Sequence, residues 1–270
     1  TILEPTAISV VIPLTFTEPS CNGASDATAM ATITGGTGSY TYLWSLSGST
    51  TNPATGLSAG TESILITDAN NCTQTAQVTI TEPGPLTATL TATNVTCFGG
   101  ANGTISATPS GGTGAIYYLW SNGATTQFIS GLSAGTYSCT VTDASGCATT
   151  VSATITEGNQ IVTTLTTTDV TCNGFNDGTA SISAVGGSGS FNYAWWNGNT
   201  TSTLTSLFPS AGVYWIETTD ANTNCSTIDT FIIAEPAALT SSAVIDSTSC
   251  HGDNNGIITV TAIGGVAPFT

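Results

Sequence analysis

The chain has 270 residues, no Lys or Arg, 16 Asp plus Glu and a formal charge of −16. That composition excludes a P-loop lysine, an arginine finger, a lysine Schiff base, a lysine isopeptide cross-link and the cations that nucleic-acid binding needs to neutralise phosphates. With 40 % apolar residues the low charge is no mark of disorder, and the longest largely apolar stretch, residues 7–14, is far short of the ~18 residues of a membrane helix.

The chain opens on Thr with no visible signal peptide, and is expected to be a mature or excised piece of something longer. Glu4-Pro5 reads as the tail of a preceding repeat. From Thr6 the elements follow in order. Cys21-Asn22-Gly23 opens a turn with Asp26, and an alternating run ends in Gly35-Gly36. Next come a strand with Tyr40, Tyr42 and Trp44 on one face, Ser58-Ala59-Gly60, and a strand carrying Ile64 and Ile66. Thr67-Asp68-Ala69 and Cys72 follow, and a last strand closes on Glu82-Pro83.

The same order returns with Cys97-Phe98-Gly99, Gly111-Gly112, Trp120, Asp143, Cys147 and Glu157, then with Cys172-Asn173-Gly174, Gly186-Gly187, Trp195, Ser210, Asp220, Cys225 and Glu235. It begins again at Cys250-His251-Gly252 and Gly264-Gly265. The first cysteines are spaced 76, 75 and 78 residues apart, so the chain is an array. The expected divisions are 1–5 as a preceding tail, repeats at 6–83, 84–158 and 159–236, and a partial fourth at 237–270.

Almost every segment alternates with period two, and Gly, Asn and Asp gather between the alternating runs. Short strands with a Trp in the third predict an all-β fold, a tandem series of immunoglobulin-like antiparallel β-sandwiches. Linkers such as Glu82-Pro83-Gly84-Pro85 are short and stiffened by proline. Strands of seven or eight residues give about 35–40 Å per repeat in a semi-rigid rod.

A 75-residue sandwich buries only about 60 % of its unfolded surface, so a staple helps. The cysteines within repeats lie 51, 50 and 53 residues apart, and closing such a loop is worth about 4 kcal/mol. This spacing predicts Cys21–Cys72, Cys97–Cys147 and Cys172–Cys225, and with them an oxidising compartment. Cys250 is left for a partner outside the chain. Cys139 stands where the other repeats have Ile64 and Ile216, as a buried thiol acting as a small hydrophobe.

Asp68, Asp143 and Asp220 share one turn position. They are weak Ca²⁺ candidates against an Asx-turn reading, because calcium wants six to eight oxygens; a junction calcium near Glu82 or Glu235 is the variant of that idea. No other metal and no cofactor is implied. His251 stands alone, without a nucleophile elbow, and a catalytic role for it is disfavoured. Trp196 and Trp215 replace Ser slots of the other repeats and point outward by parity; packing against a neighbouring repeat or loop is the favoured reading, and contact with a sugar ring or partner is the alternative. Asn94, Asn102 and Asn199 fit the short N-x-[ST] pattern, and Asp246-Ser247-Thr248 offers Ser247 as an O-glycosylation candidate.

Taken together, Cys-x-Gly, Gly-Gly-[TS]-Gly, Tyr-x-Trp, Ser-Ala-Gly, Thr-Asp-Ala, Cys and a closing Ile-x-Glu-Pro resemble the SprB repeat, carried by giant surface proteins of Bacteroidota that include gliding-motility adhesins. Glu62 departs from it, where the other repeats have Tyr137 and Tyr214. The resemblance implies a non-catalytic extracellular stalk or adhesin at the cell surface, exported by type IX secretion. Surface glycans or other cell-surface proteins would be partners, and self-association into filaments is compatible with it; nucleic acid and membrane insertion are not expected. The rival readings are a carbohydrate-binding module array and a subunit of a self-assembling filament.

Overall fold

The fold is taken from a computed structural model, which describes residues 4–11, 14–209 and 213–269; Ser210 lies outside them. The chain divides into two compact units. One is Thr1–Asn94 with Ala101–Thr156, the other Val95–Gly100 with Glu157–Thr270. Among the described residues the structure is all β, without helices.

In the first unit, β1 (Ser9–Val10), β2 (Thr15–Thr17), β3 (Ala27–Met30), β4 (Ile33–Thr34), β5 (Thr41–Trp44), β6 (Ala54–Leu57), β7 (Gly60–Thr67) and β8 (Thr73–Ile80) form repeat 1. Two three-stranded antiparallel sheets, ordered β2-β3-β6 and β5-β7-β8, supply its core. Ala27, Ala29, Ala54 and Leu57 come from one sheet, and Trp44, Ile64, Ile66, Ala76, Val78 and Ile80 from the other. The alternation seen in the sequence is the alternation of core-facing and outward side chains, and fully burying each Ile or Leu is worth about 1.5–3 kcal/mol.

Repeat 2 repeats the plan with β9 (Thr87–Thr93), β10 (Gly103–Ser110), β11 (Ile116–Trp120), β12 (Phe128–Leu132), β13 (Gly135–Asp143) and β14 (Ala148–Ile155), in sheets β9-β10-β12 and β11-β13-β14. In the second unit, repeat 3 has β15 (Ile161–Thr168), β16 (Gly178–Gly186), β17 (Phe191–Trp195), β18 (Thr203–Leu207), β19 (Tyr214–Asp220) and β20 (Ser226–Phe231), paired in the same way. The partial repeat is one hairpin, β21 (Thr240–Asp246) and β22 (Ile257–Ile263), whose apolar side chains are exposed.

With no Lys or Arg in the chain, the outer faces are not held by lysine or arginine ion pairs. Opposed threonines hydrogen-bond across strands instead, as in Thr61–Thr79 at 3.3 Å, Thr136–Thr154 and Thr140–Thr150 at 3.0 Å, and Thr168–Thr179 at 2.6 Å. Such β-branched cross-strand pairs are the usual unit of sheet stabilisation.

One detail of connectivity sets the direction of everything after it. The segment 45–53 doubles back along β5: Trp44 N–H donates to Ser49 O at 2.9 Å and its indole Nε1–H to Thr51 O at 2.9 Å. Trp120 and Trp195 anchor equivalent legs on Thr126 O and Thr201 O, at 2.8 and 2.7 Å. Strand β6 therefore runs antiparallel to β3 and in the same sense as β5. A strict up-and-down count would put the β2–β3 and β7–β8 turns at one end of the sandwich. The return leg puts them at opposite ends.

Candidate functional site

The head of each sandwich is built on a glycine pair and an aspartate. Gly35 and Gly36 both have φ near +70°, and a Cβ on Gly35 would lie 2.0 Å from Ala7 O. The pair lets the first strand of the repeat cross close by, and Gly36 N–H donates to Thr6 O at 2.8 Å. Asp68 lies beneath it, buried, taking N–H bonds from Thr37 (3.0 Å), Asn70 (2.9 Å) and Cys72 (2.9 Å). Asp143 does the same with Thr113, Ser145 and Cys147 at 2.7, 2.9 and 2.9 Å, and Asp220 with Ser188, Asn222 and Thr223.

These bonds decide the role of the aspartates. The Cys72 N–H foremost holds the Asp68 carboxyl below its usual range. At Asp143 burial pushes upward, and the N–H donors of Thr113, Cys147, Ser145 and Gly146 outweigh it. At Asp220 the Ser188 N–H leads the lowering. Each carboxylate is a bracket that fixes the turn carrying the second cysteine, with its oxygens occupied by backbone donors. Among the described residues no three His, Cys, Asp or Glu side chains are grouped to hold a metal.

The tail of each sandwich carries the first cysteine. Its turn is held by the closing glutamate: Gly23 N–H donates to Glu82 Oε2 at 2.7 Å, Gly99 to Glu157 at 2.6 Å and Gly174 to Glu235 at 2.9 Å. Asn22 Nδ2 and Asn173 Nδ2 reach Pro83 O and Pro236 O at 3.1 and 3.2 Å. Ser20 N–H and Thr171 N–H bond to Asp26 and Asp177, and the Ser20 and Thr171 hydrogen bonds hold those carboxyls low. The Glu that closes each repeat is thus a clamp, followed by Pro83 and Pro236 in repeats 1 and 3 and by Gly158 in repeat 2, and Glu82 and Glu235 are engaged in it.

The disulfides correct the pairing that the spacing suggested. Cys21 is bonded to Cys147 and Cys97 to Cys225, each with a Cα–Cα distance of 5.6 Å; Cys72 and Cys172 are free, exposed thiols. Neither Cys21–Cys72, Cys97–Cys147 nor Cys172–Cys225 is formed. The reason is the geometry of the ends. Cys72 immediately precedes β8, and the turn that carries Cys21 is clamped through Gly23 N–H to Glu82 just after it. Eight strand residues at about 3.3 Å each hold them roughly 25 Å apart, against the ~7 Å limit for a bridge. In repeat 3, β20 separates Cys225 from the Glu235 clamp on the Cys172 turn in the same way. The first cysteine of one repeat instead bonds the second cysteine of the next. In the first unit this junction is a crevice lined by Cys21, Asn22, Pro85, Leu86, Gly146 and Cys147.

Other sequence candidates fall as follows. Cys139 is a fully buried free thiol, paired in register with Trp120 where Ile64 faces Trp44 and Ile216 faces Trp195; burial pushes its pKa up. Trp196 does not point outward. Strand β17 ends at Trp195, so parity stops there, and Trp196 turns in against Tyr214 with ring centroids 4.3 Å apart. Its N–H does meet Trp215 O on the neighbouring strand at 3.2 Å, while the Trp215 side chain is exposed. The two rings therefore make no shared outward platform. Cys250 and His251 sit exposed in their turn, and Ser247 is exposed after β21. Asn94 Oδ1 accepts Thr156 N–H, and Asn199 Oδ1 accepts from Thr201. Among the described residues no helix is long and apolar enough to cross a membrane.

Repeated pairs of three-stranded sheets around a buried third-strand Trp define a tandem array of immunoglobulin-like β-sandwiches. The SprB repeat family matches residues 14–49, 89–125, 164–200 and 242–270, more than half of the chain, and the chain belongs to that family. No curated protein sequence matches it. Similar solved structures include Sidekick-1 immunoglobulin domains 1-5 (14 % identity, 87 % of this chain and 60 % of that one, TM-score 0.31). Another is the N-terminal eight Ig domains of Down Syndrome Cell Adhesion Molecule (12 %, 91 % and 41 %, 0.40). A third is surface layer protein SbsC, domains 4-9 (14 %, 89 % and 49 %, 0.24). The chain spans 60 % or less of each of these three.

Proposed function

We propose that this chain is a non-catalytic stalk segment of a large extracellular bacterial surface protein, a gliding-motility or attachment adhesin exported by type IX secretion. The four SprB repeats carry this reading. The disulfides fit an oxidising compartment outside the cytoplasm. The polar side chains singled out in the sequence act on the fold: the aspartates bracket turns, the glutamates clamp them, and the Trp indoles anchor return legs. The mechanism is mechanical. The Cys21–Cys147 staple joins the tail of the first sandwich to the head of the second beside the short Glu82-Pro83-Gly84-Pro85 linker, so that junction resists bending and pulling, and repeated weak contacts along an array of such repeats add by avidity.

The test is surface labelling of intact source cells with antibody to residues 1–270. Labelling that disappears when type IX secretion is disabled supports the assignment; antigen confined to the cytoplasm contradicts it. A glycan array separates the stalk from a carbohydrate-binding module, since a stalk shows no selective binding.

A further inference from the structure

The two disulfides follow one rule: the first cysteine of a repeat bonds the second cysteine of the repeat after it. Three exposed thiols stand at positions where the same rule leaves the partner outside this chain. Cys72 is a second cysteine, on an Asp68 bracket that matches the Asp143 bracket of the bonded Cys147 in every backbone bond. Asp68 N–H to Cys72 O is 3.0 Å and Asp143 N–H to Cys147 O is 2.9 Å; the returning bonds from Cys72 N–H and Cys147 N–H are both 2.9 Å. Cys172 is a first cysteine, on a turn closed by Phe175 N–H to Cys172 O at 3.1 Å, as Gly100 closes on Cys97 at 3.0 Å.

A second observation bears on Cys172 independently. It opens on a crevice lined by Asn173, Pro236, Leu239, Gly265 and Phe269. Cys21 opens on its counterpart, where Asn22 and Leu86 occupy the places of Asn173 and Leu239 and Cys147 completes the wall. The wall opposite Cys172 is the head of the fourth repeat, at Gly265 and Phe269.

We propose that Cys72 and Cys172 are interaction sites for further SprB repeats, each forming a covalent rung: Cys72 with the Cys-x-Gly turn of a repeat placed before it, Cys172 with the Asp-bracketed cysteine of a repeat completed after it. This rests on the array reading above and extends it to a staggered disulfide ladder. Each rung forms by thiol–disulfide exchange. Two thiols and one oxidised glutathione give the protein disulfide and two reduced glutathiones, so the protein loses two electrons and two protons. Loops of 126 and 128 residues closed by the two existing rungs overlap between Cys97 and Cys147, and further rungs would extend that overlap in both directions.

Two extended chains test this. In one, residues 188–236 are appended after Gly265, completing the fourth repeat with a copy of Cys225. In the other, residues 84–157 are placed before Pro5, supplying a copy of Cys97. Both are refolded with a glutathione redox buffer and mapped by mass spectrometry after peptic digestion. The ladder predicts Cys172 bonded to the appended cysteine with Cys250 left alkylatable, and the added Cys97 copy bonded to Cys72. A bond from Cys250 to the appended cysteine, or Cys72 and Cys172 still labelled by iodoacetamide in both extended chains, overturns it. Retention of Cys21–Cys147 and Cys97–Cys225 reports correct folding in each chain, and the two extensions fail independently. Neither result bears on surface display, so the outcome is separable from the stalk assignment.

Discussion

Repeats 1 and 3 share one frame and close the same corner of it differently. In repeat 1 the slot opposite Val78 holds Glu62, buried, whose carboxylate accepts N–H bonds from Leu46 and Ser47 at 3.1 and 3.0 Å and a bond from Ser45 Oγ at 3.3 Å. In repeat 3 that slot is Tyr214 opposite Phe231. Tyr214 stacks on Trp196, its hydroxyl donates to Phe208 O at 2.9 Å, and Phe231 meets Trp195 edge-on at 5.8 Å. Repeat 3 then carries a polar load that repeat 1 lacks. Thr218 is fully buried where repeat 1 has Ile66, its Oγ1 without a partner, and Asp229 Oδ2 is buried without one where repeat 1 has Ala76. The corner is free to vary between a carboxylate bracket and an aromatic cluster. The core Trp, the Asp bracket and the Glu clamp do not vary across the three repeats, because they set the return leg and the two cysteine turns.

The largest effect expected from breaking this frame is at the Trp. Trp44→Ala and Trp195→Ala each remove a fully buried ring and the anchor of a return leg, and each should cost about 3–5 kcal/mol in urea unfolding. An equal loss in both repeats shows that the frame dominates; a much smaller loss in repeat 3 would mean that Trp196 and Phe231 fill the gap. Next is Glu62→Ala, which strands the Leu46 and Ser47 N–H groups and should destabilise repeat 1 by about 1–3 kcal/mol. The opposite sign is expected for Thr218→Val, which removes an unpartnered buried hydroxyl at nearly constant shape and should raise stability by about 1 kcal/mol.

The smallest effect at neutral pH is titration of the aspartate brackets, which all three repeats share. Asp68, Asp143 and Asp220 have folded pKa values below the ordinary carboxylate value. Their contribution is therefore fully present above about pH 4 and is lost as pH falls through the folded values. Urea midpoints should be flat from pH 5 to 8 as far as these groups are concerned and fall below pH 4. Asp68→Asn should flatten that fall for repeat 1 and leave repeat 3 unchanged.

Much of this frame was legible in the sequence. Period-two alternation marked which faces are buried, and the recurring Trp, Gly-Gly and Thr-Asp-Ala marked where strands turn, because those turns need positive φ and a short side-chain acceptor. Cys139 could be read as a buried thiol from its alignment with Ile64 and Ile216. Two readings failed for physical reasons. Spacing measures the length of a closed loop but not which end of a sandwich a turn occupies, and the return legs after Trp44, Trp120 and Trp195 invert that end. Parity holds only inside a strand, so it could not place Trp196, one residue past the end of β17. The signal that bore on the cysteines was the closing Glu. A residue that ends the last strand and clamps the Cys-x-Gly turn sets that turn a full strand away from the cysteine that begins the strand.

The most direct measurement is disulfide mapping of the unaltered 270-residue chain, folded under oxidising conditions, alkylated without reductant and digested with pepsin. The account predicts Cys21–Cys147 and Cys97–Cys225 peptides, with Cys72, Cys172 and Cys250 alkylated in the native state and Cys139 only after denaturation. Peptides joining Cys21 to Cys72 or Cys172 to Cys225 would contradict it.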